Sequence, residues 1–199
     1  ETNFITSSIC ALLAKKTNKP VKLRLDRDDD IIITGKRHDF YSEYEVGFDE
    51  NGVIKGLKIK LASRCGMSPD LSGAINERAL LHIDNAYYLS NMQVQNYLCK
   101  TNTVSSTAFR GFGGNQGMMC IENIIDNISR SLNKDPAEIR KNNFYQKNNN
   151  NITHYGMKIE DNVINEIFNK LLKKSNYKKR YLKIKKFNLN NRYLKKGIS

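Results

Sequence analysis

The chain has 199 residues, 33 Lys plus Arg against 20 Asp plus Glu and a net charge of +13, with 39% hydrophobic residues. That is long enough to bury a core and too apolar for a wholly disordered chain, and no apolar run approaches the roughly 20 residues a bilayer span needs. The opening Glu1-Thr2-Asn3-Phe4-Ile5 has no basic leader and no cleavage site, so the chain reads as a segment of something longer.

The elements follow in chain order. Apolar positions 5, 9, 12 and 13 predict a helix over 5–17, stopped by Asn18-Lys19-Pro20. Val21-Lys22-Leu23-Arg24-Leu25 alternates and reads as a strand. Tyr41–Phe48 and Val53–Leu61 flank Asp49-Glu50-Asn51-Gly52, a hairpin signal because Asn-Gly tolerates the positive φ of the turn. Val94–Cys99 reads as a further strand. Gln116–Leu132 carries apolar residues at 118, 121, 124, 125, 128 and 132, one buried helical stripe. Asp135-Pro136 opens another short helix as N-cap and first-turn proline. The class is α+β: a mixed sheet with a strong β-hairpin and packed helices.

Cys10, Cys65, Cys99 and Cys120 are widely spaced without a CxxC pair, against a zinc or iron–sulfur centre within this chain and against a secreted disulfide framework. Asn127-Ile128-Ser129 and Asn151-Ile152-Thr153 fit the glycosylation sequon, but Asn-rich sequences produce such triplets by chance. A reducing cytosolic compartment is favoured.

Charge concentrates at the end of the chain, where residues 170–199 hold 12 Lys plus Arg and no acid. This segment follows an Asn-rich run at 148–151 that reads as a loop, so the chain divides into 1–147 and 148–199. A nucleic-acid or anionic-membrane patch competes there with a solvated helix face. Ile164, Ile167, Phe168, Leu171 and Leu172 keep helical spacing, and Tyr181 and Ile184 continue it, which favours the solvated face. Nucleic acid is therefore not expected as a partner.

Ahead of the long helix stands Thr107-Ala108-Phe109-Arg110-Gly111-Phe112-Gly113-Gly114-Asn115-Gln116-Gly117, with four glycines at 111, 113, 114 and 117. Glycines permit close backbone approach, and their N–H groups before a helix N-terminus suit an anion. No Gly-Lys-Ser/Thr follows, so this is not a Walker loop. A tight turn feeding a helix remains the alternative on composition alone.

Thr107–Gly114 resembles the signature loop of the molybdenum hydroxylases, the family of xanthine dehydrogenase and aldehyde oxidase. Leu25–Asp30 followed by Ile33–His38, Glu77–Tyr87 and Cys99–Asn102 are similar to segments of the same family, in the same order. The resemblance runs from Glu1 through about Tyr145, and more weakly to Lys195-Lys196-Gly197. It implies that 1–147 is part of a larger molybdopterin-binding domain and that 148–199 leads to the next part of it.

The resemblance also implies roles. Arg110 would hold the molybdenum cofactor through its backbone N–H, with Ala108 and Phe109 shaping the wall near the metal. Phe112 would stack on a flat heterocycle. Glu1 and Arg78 match the charged pair of the purine-oxidising branch, against uncharged residues in aldehyde oxidases, and so would contact hypoxanthine or xanthine. Asn115 stands where the family usually has proline, and His38 and His82 are expected in structural hydrogen-bonding roles rather than as metal ligands. The implied whole enzyme hydroxylates purines at a molybdenum–molybdopterin centre and passes electrons through two [2Fe-2S] clusters and FAD to NAD. It would be a cytoplasmic or peroxisomal homodimer without a membrane partner. Its glutamate base lies in a Gly-Glu-Pro-Pro motif that this sequence lacks, so the chain by itself is expected to be inactive.

Overall fold

A computed structural model describes residues 2–198. The elements are α1 (Thr2–Thr17), α2 (Arg27–Ile33), β1 (Phe40–Phe48), β2 (Ile54–Gly66), α3 (Ser72–Leu81), β3 (Met92–Lys100), α4 (Gly114–Leu132), α5 (Pro136–Asn143), α6 (Ile164–Lys174) and α7 (Tyr177–Asn190). The sheet is mixed, as the sequence predicts, in the order β1-β2-β3. β1 and β2 pair antiparallel and β2 and β3 parallel.

The hairpin turn is held by its own residues. Asp49 Oδ1 accepts from the backbone N–H of Asn51 and Val53 at 2.9 and 3.0 Å, and Gly52 sits at φ 75°. Those bonds and the neighbouring Lys55 ammonium keep the Asp49 carboxyl below its ordinary range. The parallel pairing then demands a crossover, which α3 supplies. Sequence periodicity does not announce α3, because two of its four buried residues, Ser72 and Asn76, are polar.

The core forms where β2 meets α4. Leu57, Ile59 and Leu61 face Ile121, Ile124, Ile125 and Ile128, all almost fully buried, with Ala79 and Ile83 from the α3 region and Ile139 and Phe144 from the α5 region closing the cluster. Period 2 on β2 and period 3.6 on α4 thus bury one face each. Asp135 caps α5 by accepting from Ala137 N–H at 2.9 Å, with Pro136 at the first turn, as expected.

Val21–Leu25 is not a strand. The alternation is present, but no neighbouring strand offers a ladder, and Leu23 stays exposed. The Asp-rich motif after it forms α2 instead, capped by Asp26, whose carboxylate accepts from Asp29 N–H at 2.8 Å. Asp28, Asp29 and Asp30 in the first turn complement the helix dipole.

Beyond residue 147 the Asn-rich stretch is tied back to the preceding body. Asn151 Nδ2 donates to Lys147 O, and Asn162 Nδ2 to Tyr145 O at 2.7 Å. His154 and Tyr145 both reach Asp84: the Tyr145 hydroxyl donates at 2.6 Å and His154 Nδ1 lies at 3.4 Å. Burial and that carboxylate push the Tyr145 phenol well above its usual range. Phe168 of α6 packs edge-on against Phe144 and Ile164 also reaches the core, while Ile167 and Leu171 remain exposed. None of the described helices is long and apolar enough to cross a membrane, and the four cysteines are free thiols.

Candidate functional site: the glycine loop between α3 and α4

The loop is anchored at its start by backbone contacts. Ser106 N–H donates to Cys65 O at 2.9 Å and Thr107 N–H to Lys36 O at 3.0 Å. Gly66, at φ 87°, lies so close to Val104 and Ser105 that a Cβ would overlap their backbone. The end of β2, the segment before β1 and the loop are therefore fixed against one another.

Gly111, Phe112 and Gly113 then occupy the left-handed region in succession, at φ 94°, 48° and 96°. Glycine does this freely, whereas a bulky side chain there costs on the order of 1–3 kcal/mol. Phe112 is thus held in an unfavourable conformation by its two glycine neighbours, with its N–H donating to Phe109 O at 2.8 Å. Strain of this kind marks functional loops more often than plain turns.

Glycines also set the loop against α3. A Cβ at Gly113 would overlap the Ile75 carbonyl and lie 3.1 Å from Ala79 N, while one at Gly117 would overlap the Ala79 carbonyl. Gly113 consequently touches the peptide that joins Arg78 to Ala79. Arg78 is exposed at this point of α3 and has no ion-pair partner among the described residues. The fold brings Arg78 and the 107–113 loop together, although 29 or more positions separate them in sequence.

Arg110 and Ala108 are exposed, Phe109 is 56% exposed and Phe112 is half-buried. Glu1 lies outside the described residues. The Asn115 side chain covers Gly111, at the second residue of α4, a position where proline is also tolerated. His38 is buried and hydrogen-bonded through Nε2 to Ser72 Oγ at 2.7 Å, a structural role. Burial pulls its pKa below the ordinary histidine value. His82 makes no side-chain hydrogen bond among the described residues; its ring instead fills the space a Cβ on Gly114 would need, at 3.1 Å. The described residues contain no cluster of three or more His, Cys, Asp or Glu able to hold a bare metal ion.

A second layer escapes sequence reading. Asn76 Nδ2 donates to Ser63 Oγ and Ser72 O at 2.7 and 2.8 Å, and Gln116 Nε2 to His38 O at 2.9 Å. Beside them Gln116 Oε1, Asn76 Oδ1, His38 Nδ1 and Arg37 Nη1 are buried without a hydrogen-bond partner. Unsatisfied buried polar atoms are uncommon in a native structure and point to a missing partner. Only a contact map could have grouped residues from β1's approach, α3 and α4. Strained backbone and orphaned donors and acceptors fit a polar organic cofactor held by the protein through hydrogen bonds rather than by direct metal ligation.

A cavity of about 590 Å³ between α4, α5, α6 and α7 lies apart from this site. On its wall Arg140 pairs with Glu122 at 2.8 Å and Asp126 at 3.0 Å.

Comparison with known proteins identifies the family. Residues 2–144 match the family model described as the molybdopterin cofactor-binding domain. The chain is 42% identical over 196 residues to the xanthine dehydrogenase/oxidase of Gallus gallus, covering 98% of this chain and 14% of that protein. It is likewise 42% identical over 200 residues to the xanthine dehydrogenase of Dictyostelium discoideum, covering 100% of this chain and 15% of that protein. The chain therefore spans only about one seventh of the curated relatives' length. Among solved structures, the aldehyde oxidoreductase of Desulfovibrio gigas shares the fold at a TM-score of 0.78 and 23% identity, over 91% of this chain and 20% of that one. The glycine loop seated on α3 lies within the matched residues, and the chain belongs to the family of molybdopterin cofactor-binding domains.

Proposed function

We propose that this chain is part of the molybdenum-bearing portion of a xanthine dehydrogenase, an oxidoreductase that hydroxylates hypoxanthine and xanthine. The observation that carries this reading is the seating of Gly113 and Gly117 on α3, which sets the Arg78–Ala79 peptide against the strained loop. Identity near 40% to xanthine dehydrogenases over nearly the whole chain supports it. The molybdenum–molybdopterin group, when bound, supplies the redox chemistry.

The residues of this chain bind and orient. The backbone N–H of Arg110, beside the loop glycines, would hold the cofactor, with Ala108 and Phe109 forming the adjoining wall. Phe112 presents a ring for stacking on a flat purine. Arg78 has no ion-pair partner among the described residues, and its guanidinium is suited to a purine carbonyl and to the negative charge that develops on the heterocycle. Glu1 would supply the matching carboxylate acceptor for a ring N–H. In the whole protein, electrons would pass through two [2Fe-2S] clusters and FAD to NAD, within a cytoplasmic or peroxisomal homodimer. This chain alone, without the Gly-Glu-Pro-Pro base, would not turn over substrate.

The test uses the full-length protein and two substrates, xanthine and an aromatic aldehyde. Arg78→Leu is expected to lower kcat/KM for xanthine about 10- to 100-fold while changing aldehyde turnover less than about 3-fold. A wild type that prefers the aldehyde, or an Arg78→Leu loss equal for both substrates, would contradict the purine reading and favour an aldehyde oxidase.

A further inference from the structure

Arg37 has no role in the reading above, yet it sits at the loop. The carbonyl before it, on Lys36, accepts from Thr107 N–H at 3.0 Å, and the carbonyl after it, on His38, accepts from Gln116 Nε2 at 2.9 Å. Residue 37 is therefore strapped between the start of the glycine loop and the first turn of α4. Its guanidinium lies over the Phe109 ring, 4.3 Å from the centroid, which fixes its plane.

Two nearby acids, Asp39 and Asp30, are committed elsewhere. Asp39 holds Arg64 through contacts of 3.1 and 3.0 Å, and Asp30 holds Lys36 at 3.2 Å. Arg37 has no ion pair and no hydrogen bond among the described residues, and its Nη1 is buried without a partner. A guanidinium cannot shed its charge, so a buried, unpaired N–H of this group is held ready for an acceptor from outside the chain. Gln116 cannot be that acceptor by turning its amide over, because its Oε1 would then face the His38 carbonyl.

We propose that Arg37 is an oxyanion-holding residue of the 107–116 loop, taking an anionic phosphate-type group of the ligand bound there. The planar fork suits such an oxyanion, and Phe109 pre-orients it. The inference rests on the cofactor reading above, and the oxyanion is either the phosphate of the pterin cofactor or a free phosphate.

The experiment compares full-length wild type with Arg37→Met, Arg37→Lys and Phe109→Leu. Molybdenum and pterin are quantified per protein after dialysis, inorganic phosphate is titrated calorimetrically into cofactor-free protein, and unfolding temperatures serve as controls. Arg37→Met is expected to cut retained cofactor about fivefold or more, with Arg37→Lys intermediate because it keeps the charge and loses the fork. Phe109→Leu, which frees the guanidinium without removing it, is expected to cut retention about twofold, and Arg37→Lys carries the test if Arg37→Met does not fold. Retention lost together with phosphate affinity assigns the cofactor phosphate. Phosphate affinity lost about tenfold with cofactor retention unchanged assigns a free oxyanion. Neither lost, in variants that unfold at the wild-type temperature, overturns the proposal. A wild type that carries no pterin defeats the cofactor reading instead, and the phosphate titration then decides Arg37 by itself.

Discussion

α4 and α1 both have helical spacing of apolar residues in the sequence, and the fold treats them in opposite ways. Ile121, Ile124, Ile125 and Ile128 of α4 are buried to 1% exposure or less against β2 and α3. Ile5, Ile9, Leu12 and Leu13 of α1 are 41–58% exposed. Periodicity therefore shows that a helix has an apolar side, and only the tertiary contacts show whether this chain covers it. α4 is where the chain is self-sufficient, and its N-terminal loop is built on that rigid base.

The comparison can be broken by substitution. The largest effect is expected at the junction of the loop and α3: Gly113→Val adds a side chain at φ 96° and against the Ile75 carbonyl, and should cost about 4 kcal/mol or more, read by chemical denaturation. Next, Ile124→Ala in the α4 core should cost about 2–5 kcal/mol by the same measurement, since it opens a cavity under the sheet. A smaller effect is pH-dependent. Burial lowers the folded-state pKa of His38, so below the ordinary value of 6.5 the unfolded chain takes up the proton more readily than the folded one. Its contribution is complete above pH 6.5 and is lost as pH falls toward the lowered folded value. Thermal unfolding should accordingly show wild type losing stability from pH 7.5 to 5.5, and His38→Gln losing less. The smallest effect is expected at Leu12→Ala in α1, within about 0.5 kcal/mol. A cost above 2 kcal/mol there would show that α1 is packed in solution and would remove the contrast.

The hairpin, α4 and the α5 cap were legible because each is specified by neighbours in sequence: Asp49 and Gly52 in the turn, the isoleucine stripe, Asp135-Pro136. The α3 crossover was not, because Ser72 and Asn76 occupy half of its buried face and bond to His38 and Ser63 across the fold. Val21–Leu25 misled for the complementary reason: alternation suits a strand, but a strand also needs a partner ladder. At the site, the glycine loop could be read from its composition, and Arg78 through family resemblance. Arg37, Gln116 and the orphaned atoms around them could not, since their significance lies in what they face and leave unpaired.

The central claim is that the strained loop on α3 holds a molybdenum–pterin cofactor, and its most direct test is the molybdenum content of the purified full-length protein in wild type and Gly111→Ala. At Gly111, φ is 94° and the atoms nearest an added Cβ belong to the movable Asn115 side chain, so the loop is disturbed while the α3 contact stays. The account predicts about one molybdenum per chain in wild type and a several-fold reduction in Gly111→Ala, with the unfolding temperature lowered by only a few degrees. Equal molybdenum in both proteins, or none in wild type, would contradict it.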